Sequence, residues 1–251
     1  MSKVLELKNV SLTYQTIDDE ITAIENLSFS CNDGDFISII GPSGCGKTTV
    51  LSLIAGLIKP SSGRVLFGND TNDDKKLSIG YMLQKDQLFP WRTIEKNVFL
   101  PLEVKKLNTI ENKEYARALL SKYGLASFKN KYPDQLSGGM RQRAALIRTL
   151  VSNPKLLLLD EPFSALDYQT RLAVCDDVFS IIKNENKTTI LVTHDISEAI
   201  SMSNVIVVLT ERPAKVKSIH HPKIDGDTPL RKRESKDFGL WFEKIWKELN
   251  Q

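Results

Sequence analysis

Residues 41–49 read GPSGCGKTT and follow directly on the apolar run Phe36–Ile40. A glycine-rich stretch between a strand and a helix is suited to one chemistry, which is holding phosphate. Gly41, Gly44 and Gly46 let the backbone turn tightly and aim successive N–H groups at phosphate oxygens, where a side chain would obstruct the approach. Pro42, Ser43 and Cys45 complete the loop. Lys47 then reaches the β- and γ-phosphates of a nucleotide, and the Thr48 hydroxyl can ligate Mg²⁺. Thr49 opens a helical stretch over 49–58, whose positive N-terminal end points at the same anion. Alkylation of Cys45, inside the loop, is expected to block nucleotide binding.

Four further places carry residue types that fit this chemistry. Residues 156–159 are four leucines, as expected for a strand buried on both faces of a parallel sheet. They deliver Asp160 and Glu161 at the carboxyl end, where ligands of α/β sheets bind. Asp160 would hold Mg²⁺, and Glu161 would orient or deprotonate a water. Gln84 ends the short apolar strand 79–83; its neutral amide can ligate Mg²⁺ or hold the attacking water, although a solvated loop glutamine is the default for such a residue alone. His194 follows the strand 188–193, which would aim it at the Asp160 crevice, although a lone histidine is more often structural. Ser137, Gly138, Gly139 and Met140 open an amphipathic helix that continues through Ala144, Ala145, Leu146 and Leu150. Ser137 is a good N-cap, and the bare glycines would let N–H groups approach a second phosphate.

Two positions are weaker. Asp167 opens another helix, as a site residue or a plain N-cap. Tyr14 ends the first strand, where an aromatic face could stack on a flat base, but tyrosine is common in strands.

Stepping outward from these residues, 4–12 and 21–30 alternate as antiparallel strands joined at 18–20, and 64–67 is a further strand followed by a polar loop over 69–76. From 89 to 132 the periodicity is helical, interrupted at Pro101 and Asn108. Residues 205–209 make the last strand; 215–229 is polar and proline-punctuated. Phe238, Trp241, Phe242, Ile245, Trp246 and Leu249 recur at helical spacing, either docking on their own domain or covering a partner or membrane surface. Leu88, Phe89 and Trp91 form a partner-facing patch or pack in the core. The expected organisation is an α/β fold in four parts. Residues 1–88 hold a β subdomain and the first part of a P-loop core, and 89–150 an inserted helical subdomain. Residues 151–212 hold the second part of the core, and 213–251 a C-terminal extension.

At 251 residues, with 41% hydrophobic and 26% charged, the composition is that of a globular protein with a sizeable core. A formal charge of +3 is too small and dispersed to argue for nucleic acid. The apolar runs are too short to cross a bilayer and no signal peptide precedes Leu5, so a cytosolic chain is expected. Three cysteines without a CxxC pair argue against disulfides and a zinc site.

Taken in order, these motifs resemble the ATP-binding subunit of an ABC transporter over nearly the whole chain. GPSGCGKTT is similar to the Walker A motif, Gln84 to the Q-loop residue and LSGGM (136–140) to the signature. LLLLDE (156–161) is similar to Walker B, SALD (164–167) to the D-loop and His194 to the switch histidine. The resemblance implies ATP and Mg²⁺ as ligands, Tyr14 against adenine, and Glu161, His194 and Lys47 as the catalytic group. It implies a head-to-tail homodimer in which Ser137, Gly138, Gly139 and Met140 close on the γ-phosphate of the other copy. Met140 departs from the usual Gln, which the backbone contact should tolerate. It further implies a separate integral membrane permease, an extracytoplasmic solute-binding protein acting through it, and a peripheral position on the inner face of the membrane. FPWRT (89–93) with Asn97-Val98, LSGGMRQR and LTERP (209–213) resemble the nitrate, sulfonate and taurine importer group. A soluble ABC ATPase of nucleic-acid or ribosome metabolism is the alternative.

Overall fold

The computed structural model describes residues 2–15, 19–68 and 78–250. The expected turn at residue 18 and the polar loop over 69–76 lie outside them. The strands along the chain are β1 (Lys3–Gln15), β2 (Glu20–Asn32), β3 (Phe36–Ile40), β4 (Ser62–Phe67), β5 (Ile79–Met82), β6 (Leu156–Asp160), β7 (Thr188–Val192), β8 (Val205–Leu209) and β9 (Val216–His220). The α-helices are α1 (Lys47–Ile54), α2 (Ile94–Val104), α3 (Ile110–Lys122), α4 (Gly138–Leu150), α5 (Tyr168–Asn184), α6 (Ile196–Met202), α7 (Pro229–Arg233) and α8 (Lys236–Leu249). They form two compact units, one from 1–77 with 188–251 and the other from 78–187.

In the first unit β2, β1 and β4 make an antiparallel sheet in that order. A second layer is parallel: β3 lies between β7 and β8, and β9 adds antiparallel to β8. Every residue of β3, β7 and β8 is buried, which is why these strands are continuous apolar runs without alternation. The start of β3 is fixed by polar bonds. Asp35 accepts from Asn32 N at 2.8 Å and from Asn204 Nδ2 at 2.9 Å, and Asn204 Oδ1 accepts from Phe36 N at 2.7 Å. Terminal helix α8 docks on α6 and the sheet through the fully buried Ile245, with Phe238, Trp241 and Leu249 around it. Of the two readings of this helix, docking on its own unit is the one observed.

In the second unit β5 pairs parallel with β6, and α4 packs on α2, α5 and β5. Ala144, Ala145, Leu146, Ile147 and Leu150 are the buried face of α4. Two arginines on α4, two turns apart, grip the segment after β5. Arg148 donates to the carbonyls of Gln87 and Asp86, each at 2.6 Å, and Arg141 donates to the Asp86 carboxylate at 3.1 Å.

Three elements differ from expectation. Helix α1 begins at Lys47 and ends at Ile54, because Gly46 (φ 120°) turns directly into it and Gly56 (φ 70°) stops it in the left-handed region. Pro101 does not break α2. It costs one backbone bond near the end of a helix whose Val98, Phe99 and Leu102 are buried, and that packing outweighs the roughly 3 kcal/mol penalty. Strand β8 is not the last, since the edge strand β9 follows it.

Gly80 on β5 lies where a Cβ would stand 2.6 Å from Thr149 Cγ2 of α4 and 3.0 Å from Leu157 Cδ2. Gly80→Ala is therefore expected to destabilise the chain by about 1–3 kcal/mol through overpacking. Urea unfolding followed by circular dichroism measures it, and an unchanged midpoint would show that α4 can move away.

Candidate functional site

The glycine-rich loop 41–46 joins β3 to α1 in the first unit. Gly44 (φ 74°) and Gly46 (φ 120°) occupy conformations that residues with a side chain rarely adopt. Gly41 is required for space, because a Cβ there would stand 3.0 Å from both Leu209 Cβ and Cys45 Sγ. Pro42, Ser43, Gly44, Thr48 and Thr49 retain solvent exposure, so one side of the loop and of the first helical turn is open to a ligand. Lys47 is only 6% exposed, and its ammonium donates to the carbonyls of Gly41 and Pro42, each at 2.9 Å. The cation is thus folded onto its own loop, and phosphate oxygens would compete for it with two neutral acceptors.

Cys45 is buried, and burial pushes its thiol above the ordinary range, with Lys47 partly offsetting the rise. Tyr14 is half-exposed near the end of β1. His194 is exposed just beyond β7, on a rigid segment. Asp195 caps α6 by accepting from Ser197 N at 2.7 Å and Glu198 N at 3.1 Å, and Thr193 donates to Glu198 at 2.6 Å.

In the second unit Asp160 is buried at the carboxyl end of β6, with the Tyr81 hydroxyl 3.4 Å from its Oδ2. Glu161 follows in a left-handed conformation at φ 43°. For a glutamate this conformation is disfavoured, and such strain collects at functional sites. The structure brings Gln84 to it: Gln84 Nε2 lies 3.5 Å from Glu161 Oε2 and donates to Ser164 Oγ at 3.3 Å, while Ser164 donates to the Glu161 carbonyl at 3.0 Å.

Ser137 caps α4 by accepting from Met140 N at 3.3 Å, and Met140 is half-buried. The missing side chains of Gly138 and Gly139 have a packing reason as well. A Cβ on Gly138 would meet Leu166 at 3.0 Å, and one on Gly139 would meet Val174 at 2.7 Å. Asp167 caps α5, accepting from Thr170 N at 3.0 Å; its bonds to Thr170 hold the carboxyl below the usual range.

Sequence reasoning missed Tyr81 and the strain at Glu161. Tyr81 carries one signal, its place on a strand next to Gln84, while the strain has none. Among the described residues no three His, Cys, Asp or Glu side chains form a metal cage. No helix among them is long and apolar enough to cross a membrane.

A glycine-rich loop from a buried parallel strand into a helix, with an acid pair at a second strand end, defines the α/β P-loop nucleotide hydrolases. The ABC transporter family model matches residues 24–164. An uncharacterized ABC transporter ATP-binding protein, YtlC of Bacillus subtilis, is 51% identical over 248 residues, covering 98% of this chain and 95% of its own. The aliphatic sulfonates import ATP-binding protein SsuB of Bacillus cereus is 36% identical, covering 98% and 94%. The solved dimeric ABC transporter cassette MJ0796 superposes with a TM-score of 0.73 at 34% identity, over 87% of this chain and 99% of that one. A post-hydrolysis form of that cassette, bound to ADP and phosphate, matches at 0.70 and 32% over the same shares. The chain belongs to the ABC transporter family as an ATP-binding subunit, and it is an ATPase.

Cys45 alkylation, expected to block nucleotide binding, is expected to be slow in the folded protein because the thiol is buried and its burial disfavours the thiolate. Labelling by a maleimide is expected to run at least about tenfold slower than in denaturant and to accelerate as pH rises past the ordinary thiol range. Fast labelling at pH 7 that abolishes ATP binding would show a loop more open than this one.

Proposed function

We propose that this chain is the ATP-hydrolysing subunit of an importer, energising uptake of a small solute through a separate permease. The observation that carries the catalytic part is the Gln84–Glu161–Ser164 cluster, which links a mobile-type amide to the strand-end carboxylate. In this reading the backbone of 41–49 and Lys47 hold the phosphates, Tyr14 stacks on adenine, Glu161 orients and deprotonates the attacking water, and His194 contacts the γ-phosphate. The donors Thr48, Asp160 and Gln84 are hard oxygens with a single buried carboxylate, which suits Mg²⁺ shared with phosphates and waters rather than a protein cage. Bound there, Mg²⁺ would supply charge neutralisation to the phosphates.

The protein works as a nucleotide-dependent, head-to-tail homodimer in which residues 137–140, with Asp167, complete the partner copy's site. The dimeric structure of the MJ0796 cassette supports the dimer. The permease contact falls at the groove lined by Trp91, Arg92, Phe99 and Lys113, where Trp91 is 71% exposed and stacked at 4.9 Å on Phe89. An exposed tryptophan stacked on a half-buried phenylalanine suits a partner helix. The aliphatic sulfonates import relative supports a sulfonate among the candidate solutes, which in this reading also include nitrate, taurine and related compounds. An extracytoplasmic binding protein delivers the solute, and this subunit sits on the inner face of the membrane.

Glu161→Gln is expected to bind ATP normally, lose about a hundredfold or more in turnover, and accumulate as a dimer on size exclusion. Parent-like phosphate release in that variant would remove Glu161 from the chemistry.

A further inference from the structure

The run 209–213, LTERP, has no part in the nucleotide chemistry, yet its turn packs against the phosphate loop at all three of the loop's glycines. Leu209 fills the space in front of Gly41, with Cβ and carbonyl oxygen 3.0 and 3.2 Å from where a side chain would begin. Ala214, fully buried, stands 3.8 Å from the corresponding point on Gly46. Between them Arg212 Nη2 donates to the Gly44 carbonyl at 3.1 Å.

The turn is held firmly enough to serve as a support. Thr210 N donates to Lys215 O and Lys215 N to Thr210 Oγ1, both at 3.0 Å. Ala214 is tied to β2 in both directions, its N–H to Ala23 O at 2.9 Å and its carbonyl from Glu25 N at 3.0 Å. The turn therefore bridges β2 and the phosphate loop. Gly44, at φ 74°, has nothing within 4 Å of its Cβ direction, so no packing against a side chain fixes it there. In a trans peptide the Gly44 carbonyl and the Cys45 N–H point in opposite directions, so pinning one orients the other. That N–H in turn closes the loop on Pro42 O at 3.3 Å.

We infer that Arg212 is a positioning residue for nucleotide binding, which pins the crest of the phosphate loop through the Gly44 carbonyl. The inference deepens the reading of 41–49 as the phosphate site and rests on it. Arg212 shapes the loop before ATP arrives and does not touch the reacting atoms, so its loss weakens binding and spares the chemical step. One unmade hydrogen bond to a half-exposed loop sets the size of the effect.

The test is ADP binding by calorimetry together with steady-state ATPase kinetics on Arg212→Ala, Arg212→Lys and Arg212→Gln. Arg212→Ala is expected to raise the ADP Kd and the ATP KM about three- to tenfold at unchanged kcat. The Lys and Gln variants, which keep an N–H donor, should recover most of the loss, and the nucleotide-free melting temperature should hold. An unchanged Kd and KM, or a kcat that falls at constant KM, overturns the inference. If Arg212→Ala does not fold, Arg212→Met, which keeps the apolar stem without a donor, is read on the same terms against the parent. Lys47→Ala separates the two readings. Should it lose ADP while Arg212→Ala binds normally, only the Arg212 role fails; should it bind ADP like the parent, the phosphate-site reading itself fails.

Discussion

A nucleotide's phosphate tail concentrates negative charge in a small volume, and only a surface of fixed N–H donors without side chains can close on it. Under the proposed function that constraint falls on the loop between β3 and α1, whose glycines serve two needs at once. Gly44 and Gly46 supply left-handed backbone, and Gly41 leaves room for Leu209. A bare loop has little packing of its own, so its shape has to come from its neighbours. The buried strands β3 and β8 anchor its base, the first turn of α1 fixes its exit, and Lys47 folds over its carbonyls. Because the loop is built before the ligand arrives, less of the binding energy is spent on ordering it.

In the second unit the proposed function sets a different requirement, which is to hold the Glu161 carboxylate in place. Burial of Leu156–Asp160 fixes the strand end, and the left-handed Glu161 with Ser164 under its carbonyl sets the direction of the next side chain. Gln84 reports on that carboxylate from a segment gripped by Arg141 and Arg148 of α4. The same helix carries Ser137 as its N-cap, so the segment after Gln84 and residues 137–140 are tied to one helix. A displacement of α4 would therefore be felt at Gln84 through short, charge-assisted contacts.

Much of this was legible in the sequence because its signals are local. Continuous apolar runs mark fully buried parallel strands, as at 36–40, 156–159 and 205–209, and glycine spacing marks the loop. Where competing signals met, the sequence misled. The short strand β9 alternates half-buried and exposed residues within a polar, proline-punctuated stretch, and as an edge strand it needs no apolar run. Pro101 reads as a breaker, yet tertiary packing of α2 overrides a single lost bond. Residue types singled out Asp160, Glu161 and Gln84 as candidates, and the structure puts Gln84 Nε2 3.5 Å from Glu161 Oε2. The Tyr81 contact, the strain at Glu161 and the Arg212 support depend on backbone geometry or on pairings more than 70 residues apart in sequence, which no local pattern encodes. Gly138 and Gly139 show the converse, since their spacing reads as phosphate approach while the fold also uses them for close packing against Leu166 and Val174.

The most direct measurement of the transporter role is affinity capture of the tagged chain from detergent-solubilised membranes of its own source, with identification of what accompanies it. An ATPase that drives a separate permease should bring down a polytopic membrane protein, and the yield should drop when the exposed Trp91 is replaced by Glu. Recovery of only soluble or nucleic-acid partners would leave the ATPase chemistry intact and contradict the importer.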